Sequence, residues 1–155
     1  MESLAEEEGM EKELKTYFPK IQIYKEWPVT DVAASLKVIE DLLTAHPDVK
    51  GIYWWAGVTA SSCVQALQAH GYKPGDVKLV GSYSIPSQHD EMRDGWWQYL
   101  QPGAPVLVGR TSVQNMAKMF KGEQVSLEIS VPMMTIGYEV EVKGTWDQTG
   151  WYWHE

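Results

Sequence analysis

The chain has 155 residues, 44% of them hydrophobic, and a formal net charge of −8, which together suit one compact globular domain. The negative charge and the lack of a Lys/Arg cluster argue against binding to the phosphates of a nucleic acid. No apolar run reaches the roughly 18 residues of a membrane span, and the acidic start "MESLAEEEGMEKELK" lacks the apolar core of a signal peptide.

Helical and strand-like patterns alternate along the chain. The predicted helices cover residues 2–18, 31–45, 57–71, 86–95 and 111–122. The predicted strands cover residues 20–27, 49–55, 77–83 and 104–109. Thr30 or Asp31 suits the cap of the second helix, and Gly71 suits the end of the third. This alternation predicts an α/β fold with an open parallel sheet and helices on both faces.

The chain divides into two predicted parts, an α/β lobe over residues 1–125 and an extended segment with an aromatic tail over residues 126–155. A doubly wound domain usually opens with its central strand, whereas this chain opens with a helix, so the central first strand is expected to be missing. Unpaired backbone groups in that gap would cost about 1–3 kcal/mol each. We therefore expect residues 126–142 to cover the gap, either in the same chain or by exchange. Exchange would make the chain a homo-oligomer, with that segment or the tail in the contact.

Few residues suggest reaction chemistry. Cys63 is the single cysteine, which rules out an internal disulfide and a multi-cysteine zinc site, and its apolar helical setting predicts a buried side chain. His89, with Asp90 and Glu91, could form an acid/base group, although a charged start of a helix is the simpler interpretation. The glycine spacing of nucleotide-binding loops is absent. We expect no catalytic residue, metal or cofactor, and therefore no enzyme.

The carboxyl ends of parallel strands predict the binding site, because ligands of open α/β sheets bind there. The residues at these ends are Trp27, Trp55 with Ala56, Tyr83 and Arg110. Since adjacent strand residues face opposite ways, Trp54 should point into the core and Trp55 should lie at the cleft edge. Aromatic, small and guanidinium groups together suit a small polar ligand with apolar faces, such as a sugar. The alternative is that these aromatic side chains only pack against loops.

The stretch "LLTAHPDVKGIYWWAGVTASSCVQALQAHGYKPGDVKLVGSYSIP", followed later by "MAKMFKGEQV", resembles the C-terminal lobe of ribose-type periplasmic solute-binding proteins. These bacterial receptors deliver sugars to ABC transporters. The resemblance implies a flavodoxin-like lobe, a small-molecule ligand, and an ABC transporter permease as partner of the full-length parent. It also implies that the parent lies in the periplasm or is an extracellular lipoprotein, and that the chain is one lobe cut from it or a natural truncation.

Two positions depart from the ribose-type pattern. Ala56 stands where the pattern has an asparagine that holds sugar hydroxyls, and Tyr83 stands where it has an aspartate with the same task. The ligand is then expected to carry fewer hydroxyls than ribose or to be held mainly by stacking. Two other functions stay open at this point. One is the effector-binding core of a lactose-repressor-type transcription regulator, and the other is an enzyme on a flavodoxin-like fold.

Overall fold

The computed structural model describes residues 2–26, 31–82, 85–101, 105–126, 128–129 and 136–137. Its helices are α1 Glu2–Tyr17, α2 Val32–Ala45, α3 Ser61–Ala69, α4 Pro86–Arg93 and α5 Pro105–Phe120. Its strands are β1 Gly51–Trp54, β2 Lys78–Ser82, β3 Trp97–Gln101 and β4 Ile136–Gly137. A 3₁₀ turn, Gly57–Thr59, leads into α3.

The four strands lie side by side in sequence order. β1, β2 and β3 are parallel, with Gly51 opposite Lys78 and Gly81 opposite Leu100. β4 runs antiparallel to β3 and pairs Ile136 with Leu100. This confirms the predicted parallel α/β sheet. It also places part of the predicted extended segment, residues 126–142, in the sheet of its own chain, at the edge formed by β3. The other edge of β1, on the side of the predicted missing strand, pairs with no strand among the described residues, so the described part of residues 126–142 does not cover the predicted gap.

Three helices, α2, α3 and α4, cover one face of the sheet. Asp31 starts α2 as predicted, because its Oδ1 accepts the backbone N–H of Ala34 at 2.8 Å. Ile39 and Leu43 of this helix enter the same buried cluster as Cys63 and Leu67 of α3. The prediction that Cys63 is a small buried side chain is thus confirmed.

The sheet contributes alternate residues to that core. Trp54, Leu79 and Leu100 are at most 5% exposed and face the three helices. Gly81 lies among them, and an added Cβ there would sit 3.0 Å from Cζ3 of Trp97. On the second face, Tyr53 and Tyr99 remain 37% and 39% exposed. The predicted helical cover is therefore dense on one face, and the second face keeps partly open aromatic side chains.

A bulge in β3 keeps its large side chains in the core. The register between β2 and β3 shifts at Leu79 and Val80, so Trp97 and Leu100 both point inward although they lie three positions apart in the chain. The extra residue, Gln98, supplies the missing ladder partner, because its Oε1 accepts the backbone N–H of Leu79 at 2.8 Å. Its Nε2 donates to the carbonyl of Gly95 at 3.1 Å. The side chain thus compensates for the interrupted backbone pairing.

Two predicted strands are wrong. The predicted strand at residues 104–109 is not present in its described part, because residues 105–109 are the first turns of α5. A strand absent from the prediction, β3, takes that place in the sheet. Residues 21–26, from the predicted first strand, have no regular secondary structure. They lie between α1 and α2, where Lys25 pairs with Glu7 at 2.7 Å and the ring of Tyr24 stacks on that of His46 at 3.5 Å.

Candidate functional site

The carboxyl ends of the parallel strands lie along one edge of the sheet, and this edge is the candidate site. β1 ends at Trp54, β2 at Ser82 and β3 at Gln101, with Ser82 directly opposite Gln101 in the register. In parallel α/β sheets this edge holds the ligand because the loops beyond it leave a crevice. The described residues that reach it are aromatic, small or uncharged polar side chains.

The turn after β1 is fixed by hydrogen bonds from both sides. The carbonyl of Ala56 accepts the indole N–H of Trp54 at 3.1 Å, the hydroxyl of Thr59 at 3.2 Å and the backbone N–H of Thr59 at 3.0 Å. The carbonyl of Trp55 accepts the hydroxyl of Ser82 at 3.3 Å. The backbone that carries Trp55 is therefore held between the 3₁₀ turn and β2. Its side chain stays half-buried at the edge.

Polar groups border this turn on its β2 side. The hydroxyl of Tyr53 donates to Oγ of Ser82 at 3.4 Å, which links the two strands at their carboxyl ends. Gln101, half-buried, follows in register on β3. An aromatic side chain beside a hydroxyl and an amide is a combination that can hold a small ligand with both apolar and polar surfaces.

The structure agrees with the prediction for some of the five predicted site residues and not for others. Trp55 and Ala56 lie together at the strand ends, in the turn described above. The predicted contrast between the two tryptophans agrees with their burial, since Trp54 is 5% exposed and Trp55 is half-buried. Trp27 and Tyr83 fall outside the described residues. Whether Trp55 and Ala56 bind a ligand stays a prediction.

Arg110 is not at a strand end. Its predicted position depends on a fourth strand at residues 104–109, and residues 105–109 belong to α5 instead. Arg110 lies within that helix and its side chain is exposed. The positional argument for this residue is therefore wrong, and its ligand role is left as a prediction without that support.

Gln101 takes the position at the end of β3 that the prediction gave to Arg110. Sequence reasoning missed it because the strand that carries it was not predicted. The signal was present in "WQYLQPG", since tryptophan, tyrosine and leucine favour strands and the Pro-Gly that follows favours a turn.

The start of α4 lies next in the chain after this edge. Gln88 is fully buried there, and its Oε1 accepts the backbone N–H of Ile85 at 2.8 Å in a capping arrangement. Its Nε2 has no hydrogen-bond partner among the described residues. Glu91 accepts the indole N–H of Trp97 at 2.7 Å, which ties α4 to β3. His89 is fully buried. Glu91 therefore serves the packing of α4. The simpler interpretation, a charged start of the helix, is not confirmed, because the first turn of α4 contains no acidic residue.

Cys63 is unsuited to nucleophilic chemistry. Burial raises the pKa of its thiol well above the ordinary value, and the carboxylate of Glu91 raises this pKa further. The thiol is therefore neutral at physiological pH and inaccessible to a substrate. Within the part of the chain that the structure describes, no group of three or more His, Cys, Asp or Glu side chains is arranged to hold a metal ion.

A shallow depression of about 380 Å³ lies on α1, away from the strand ends. The described residues that line it all belong to this helix and are Glu8, Glu11, Lys12, Lys15 and Thr16. It is separate from the candidate site. Among the described helices, none has both the length and the apolar character needed to cross a membrane.

Comparison with known proteins agrees with this geometry. The family model described as "Periplasmic binding protein domain" matches residues 2–124. The chain belongs to this family. As a periplasmic binding protein domain, it is 30% identical over 106 residues to the ribose import binding protein RbsB of Escherichia coli K12. The same identity and length hold for RbsB of Salmonella typhimurium. These matches cover 68% of the chain but 35% of each relative, so the chain spans about a third of their length.

Solved structures show the same fold. The arabinose-binding component of an ABC transporter from Shewanella sp. ANA-3 superposes with a TM-score of 0.75 at 19% identity, over 93% of this chain and 51% of that one. A solute-binding protein from Actinobacillus succinogenes with bound D-allose gives a TM-score of 0.77 at 20% identity, over 85% of this chain and 47% of that one. At these identities the likeness establishes the fold of the periplasmic binding protein domain.

Proposed function

We propose that the chain is a lobe that binds a small sugar-like solute at the strand-end edge, without turning it over. The observation that carries the proposal is the turn at Trp55 and Ala56, which hydrogen bonds from Thr59 and Ser82 hold in place. A fixed aromatic ring next to polar strand ends supplies apolar contact and hydrogen bonds at once. Membership of a family of binding proteins supports the absence of catalysis.

The chemistry of the edge indicates how the ligand is held. Ala56 offers no side-chain hydrogen bond, so stacking on Trp55 carries a larger share of the contact than in the ribose-type pattern. Ser82 and Gln101 provide uncharged polar groups. We therefore propose a neutral monosaccharide with an exposed apolar face as the ligand class. Pentoses and hexoses are the first candidates, because ribose, arabinose and allose occur in the names of similar proteins.

The biological setting is part of the proposal. In the parent protein, the ligand would lie between two lobes, and an ABC transporter permease would receive it. The parent would act in the periplasm or as an extracellular lipoprotein. We further propose that residues 1–125 form the solute-binding unit, and that copies of the chain associate with one another.

Titration with ribose, arabinose and allose, followed by tryptophan fluorescence and calorimetry, tests the binding proposal. A single lobe has about half of the contacts, so we expect weak but saturable binding, with a Kd on the order of 1 mM, equivalent to about −4 kcal/mol. Trp55→Ala should weaken it at least about tenfold, which corresponds to a loss of about 1.4 kcal/mol. Val58→Ala, an exposed change in the neighbouring 3₁₀ turn, is the matched control and should leave the Kd unchanged.

Three outcomes would contradict the proposal, two of them about binding and the third about catalysis. One is the absence of saturable binding with every pentose and hexose tested. The other is binding that Trp55→Ala leaves intact, because the ligand would then lie elsewhere. Release of a chemically altered sugar during the titration would show an enzyme and overturn the non-catalytic assignment.

A further inference from the structure

One helix leaves a continuous apolar surface open to solvent. In α5, five hydrophobic side chains are 46% to 84% exposed. They are Val108, Val113, Met116, Met119 and Phe120. At 3.6 residues per turn these five positions fall within an arc of about 140° on one side of the helix. We call this surface the α5 face.

The exposed fractions give the approximate area of the α5 face. A fully exposed side chain of these types presents about 150–200 Å², so the exposed fractions correspond to a patch on the order of 500 Å². The largest apolar patch on a typical soluble monomer has this extent and is often functional. The helix therefore has the character of an element that packs against another surface.

A second apolar surface, also open, lies at the end of α1. Tyr17, Phe18 and Ile21 are 67%, 59% and 53% exposed. We call these three residues the α1 patch. The exposed fractions apply to the folded chain, so the α5 face and the α1 patch are not buried against each other within one molecule.

The two helices that carry these surfaces have opposite net charges, although Lys15 and Lys20 flank the α1 patch. α5 carries Arg110 and Lys118 and contains no acidic residue. α1 carries six glutamates against two lysines, and Glu13 lies exposed one turn before Tyr17. Two copies of α5 placed face to face would bring like charges together. Contact between α5 and α1 brings a basic helix against a helix with a net negative charge and covers both apolar surfaces.

We propose that the α5 face of one copy packs on the α1 patch of a second copy, and the reverse, in a two-fold dimer. Because each chain carries both surfaces, a two-fold axis produces two identical contacts between α5 and α1. The assembly then ends at two copies. Two such contacts bring the buried area to the order of 1,200–2,000 Å² that stable complexes bury. The net charge of −8 disfavours an anionic membrane as the occupant of the α5 face.

This inference assigns a surface to the self-association proposed above and is independent of sugar binding. It differs from the contact expected at residues 126–142, part of which pairs with β3 in its own chain. Its test uses the oligomeric state, whereas the ligand proposal is tested through Trp55. If the dimer proposal fails, the ligand proposal is unaffected, and the reverse also holds.

Sedimentation of the full chain over a micromolar concentration series tests the dimer. We expect Met116→Asp with Phe120→Asp to raise the dimer Kd at least about tenfold, because the apolar contact is lost. Both side chains are exposed in the folded chain, so the double variant should stay folded, and circular dichroism checks this. Val58→Asp is the matched control, since Val58 is 68% exposed and lies far along the chain from both surfaces. It should leave the Kd within about twofold of the wild-type value.

Charge exchange and disulfide trapping identify the surfaces. Lys118→Glu and Glu13→Lys should each weaken self-association, and mixing the two variants should restore a heterodimer. A chain with Tyr17→Cys should form a disulfide with a separate chain that carries Met119→Cys. The native thiol is buried and should not compete.

Four results would overturn the proposal. A monomer at every concentration excludes a dimer, and a dimer that the α5 variants leave intact places the contact elsewhere, such as in residues 126–142. A chain that carries both Tyr17→Cys and Met119→Cys, and that forms the disulfide internally while it stays monomeric, shows docking in the same molecule. A monomer that co-sediments with vesicles of anionic lipid assigns the α5 face to a membrane.

Discussion

Helices α2 and α5 have similar patterns of apolar residues, but the apolar side of α2 is buried and that of α5 is exposed. In α2, Ile39 and Leu43 are at most 2% exposed, because α3 packs directly on them. In α5, Met119 and Phe120 are 65% and 84% exposed. Helical spacing of apolar residues therefore predicts which side of a helix can pack against another element. Whether that side is buried depends on the presence of such an element. The region from α2 to β3 has such partners, and α5 exposes its apolar side to solvent.

The largest expected effect is at Trp54, inside the packed region. Trp54→Ala should lower the free energy of unfolding by about 3–5 kcal/mol, because it leaves a cavity among α3 and the strands and removes the indole hydrogen bonds to Ala56 and Thr59. Trp55→Ala should cost much less, since that ring is half-buried. Urea unfolding of both variants measures the difference. Equal shifts of the midpoint would show that the two rings are packed alike.

A smaller effect is expected from overfilling the same region at Gly81. Gly81→Ala places a methyl group 3.0 Å from Cζ3 of Trp97 and 3.2 Å from Cδ2 of Leu100, both fully buried. The free energy of unfolding should fall by about 1–3 kcal/mol. Gly51→Ala is the matched control in the neighbouring strand, because its nearest contact is the carbonyl of Lys78 at 3.4 Å. A stabilised Gly81→Ala variant would mean that the core has room at this point.

The smallest effect is expected in α5. Phe120→Ala should change the free energy of unfolding of the dilute monomer by no more than about 0.5 kcal/mol, because this ring is 84% exposed. Thermal unfolding at low concentration provides the measurement. A cost close to that of Trp54→Ala would remove the contrast between the two regions, since it would mean that α5 is buried in the folded monomer.

Much of the packed region could be predicted because local signals agree there with the tertiary contacts. The cap at Asp31, the helical spacing of α2 and the apolar strands β1 and β2 are all readable in the sequence. Gly71 ends the third helix with a φ of 79°, a conformation that favours glycine.

The errors arise where local signals conflict with tertiary contacts. The run "APVLVG" is short, apolar and rich in valine, so its pattern does not distinguish a strand from the start of a helix. The structure places residues 105–109 of this run in the same helix as Met116 and Phe120. Residues 21–26 alternate as strands do, but a strand also needs a neighbour to hydrogen-bond, and the described residues provide none for them.

The sequence predicted the position of the candidate site better than its hydrogen bonds and its full set of residues. Parallel topology fixes the edge at which ligands bind, which is why Trp55 and Ala56 could be placed there. The three hydrogen bonds to the carbonyl of Ala56 were not predictable, because they depend on the 3₁₀ turn that brings Thr59 back towards it. The error at the fourth strand removed Gln101 from consideration and put Arg110 in its place.

The sequential order of the strands also has a kinetic consequence. β2 forms beside β1 and β3 beside β2, so each pairing in the parallel sheet closes the loop of a single intervening helix. Contacts between near neighbours in the chain form faster than distant ones, because less loop-closure entropy is lost. The segment from α2 to β3 is therefore expected to fold first, as one continuous stretch of chain. The antiparallel pairing of β4 with β3 closes a longer loop and should follow it.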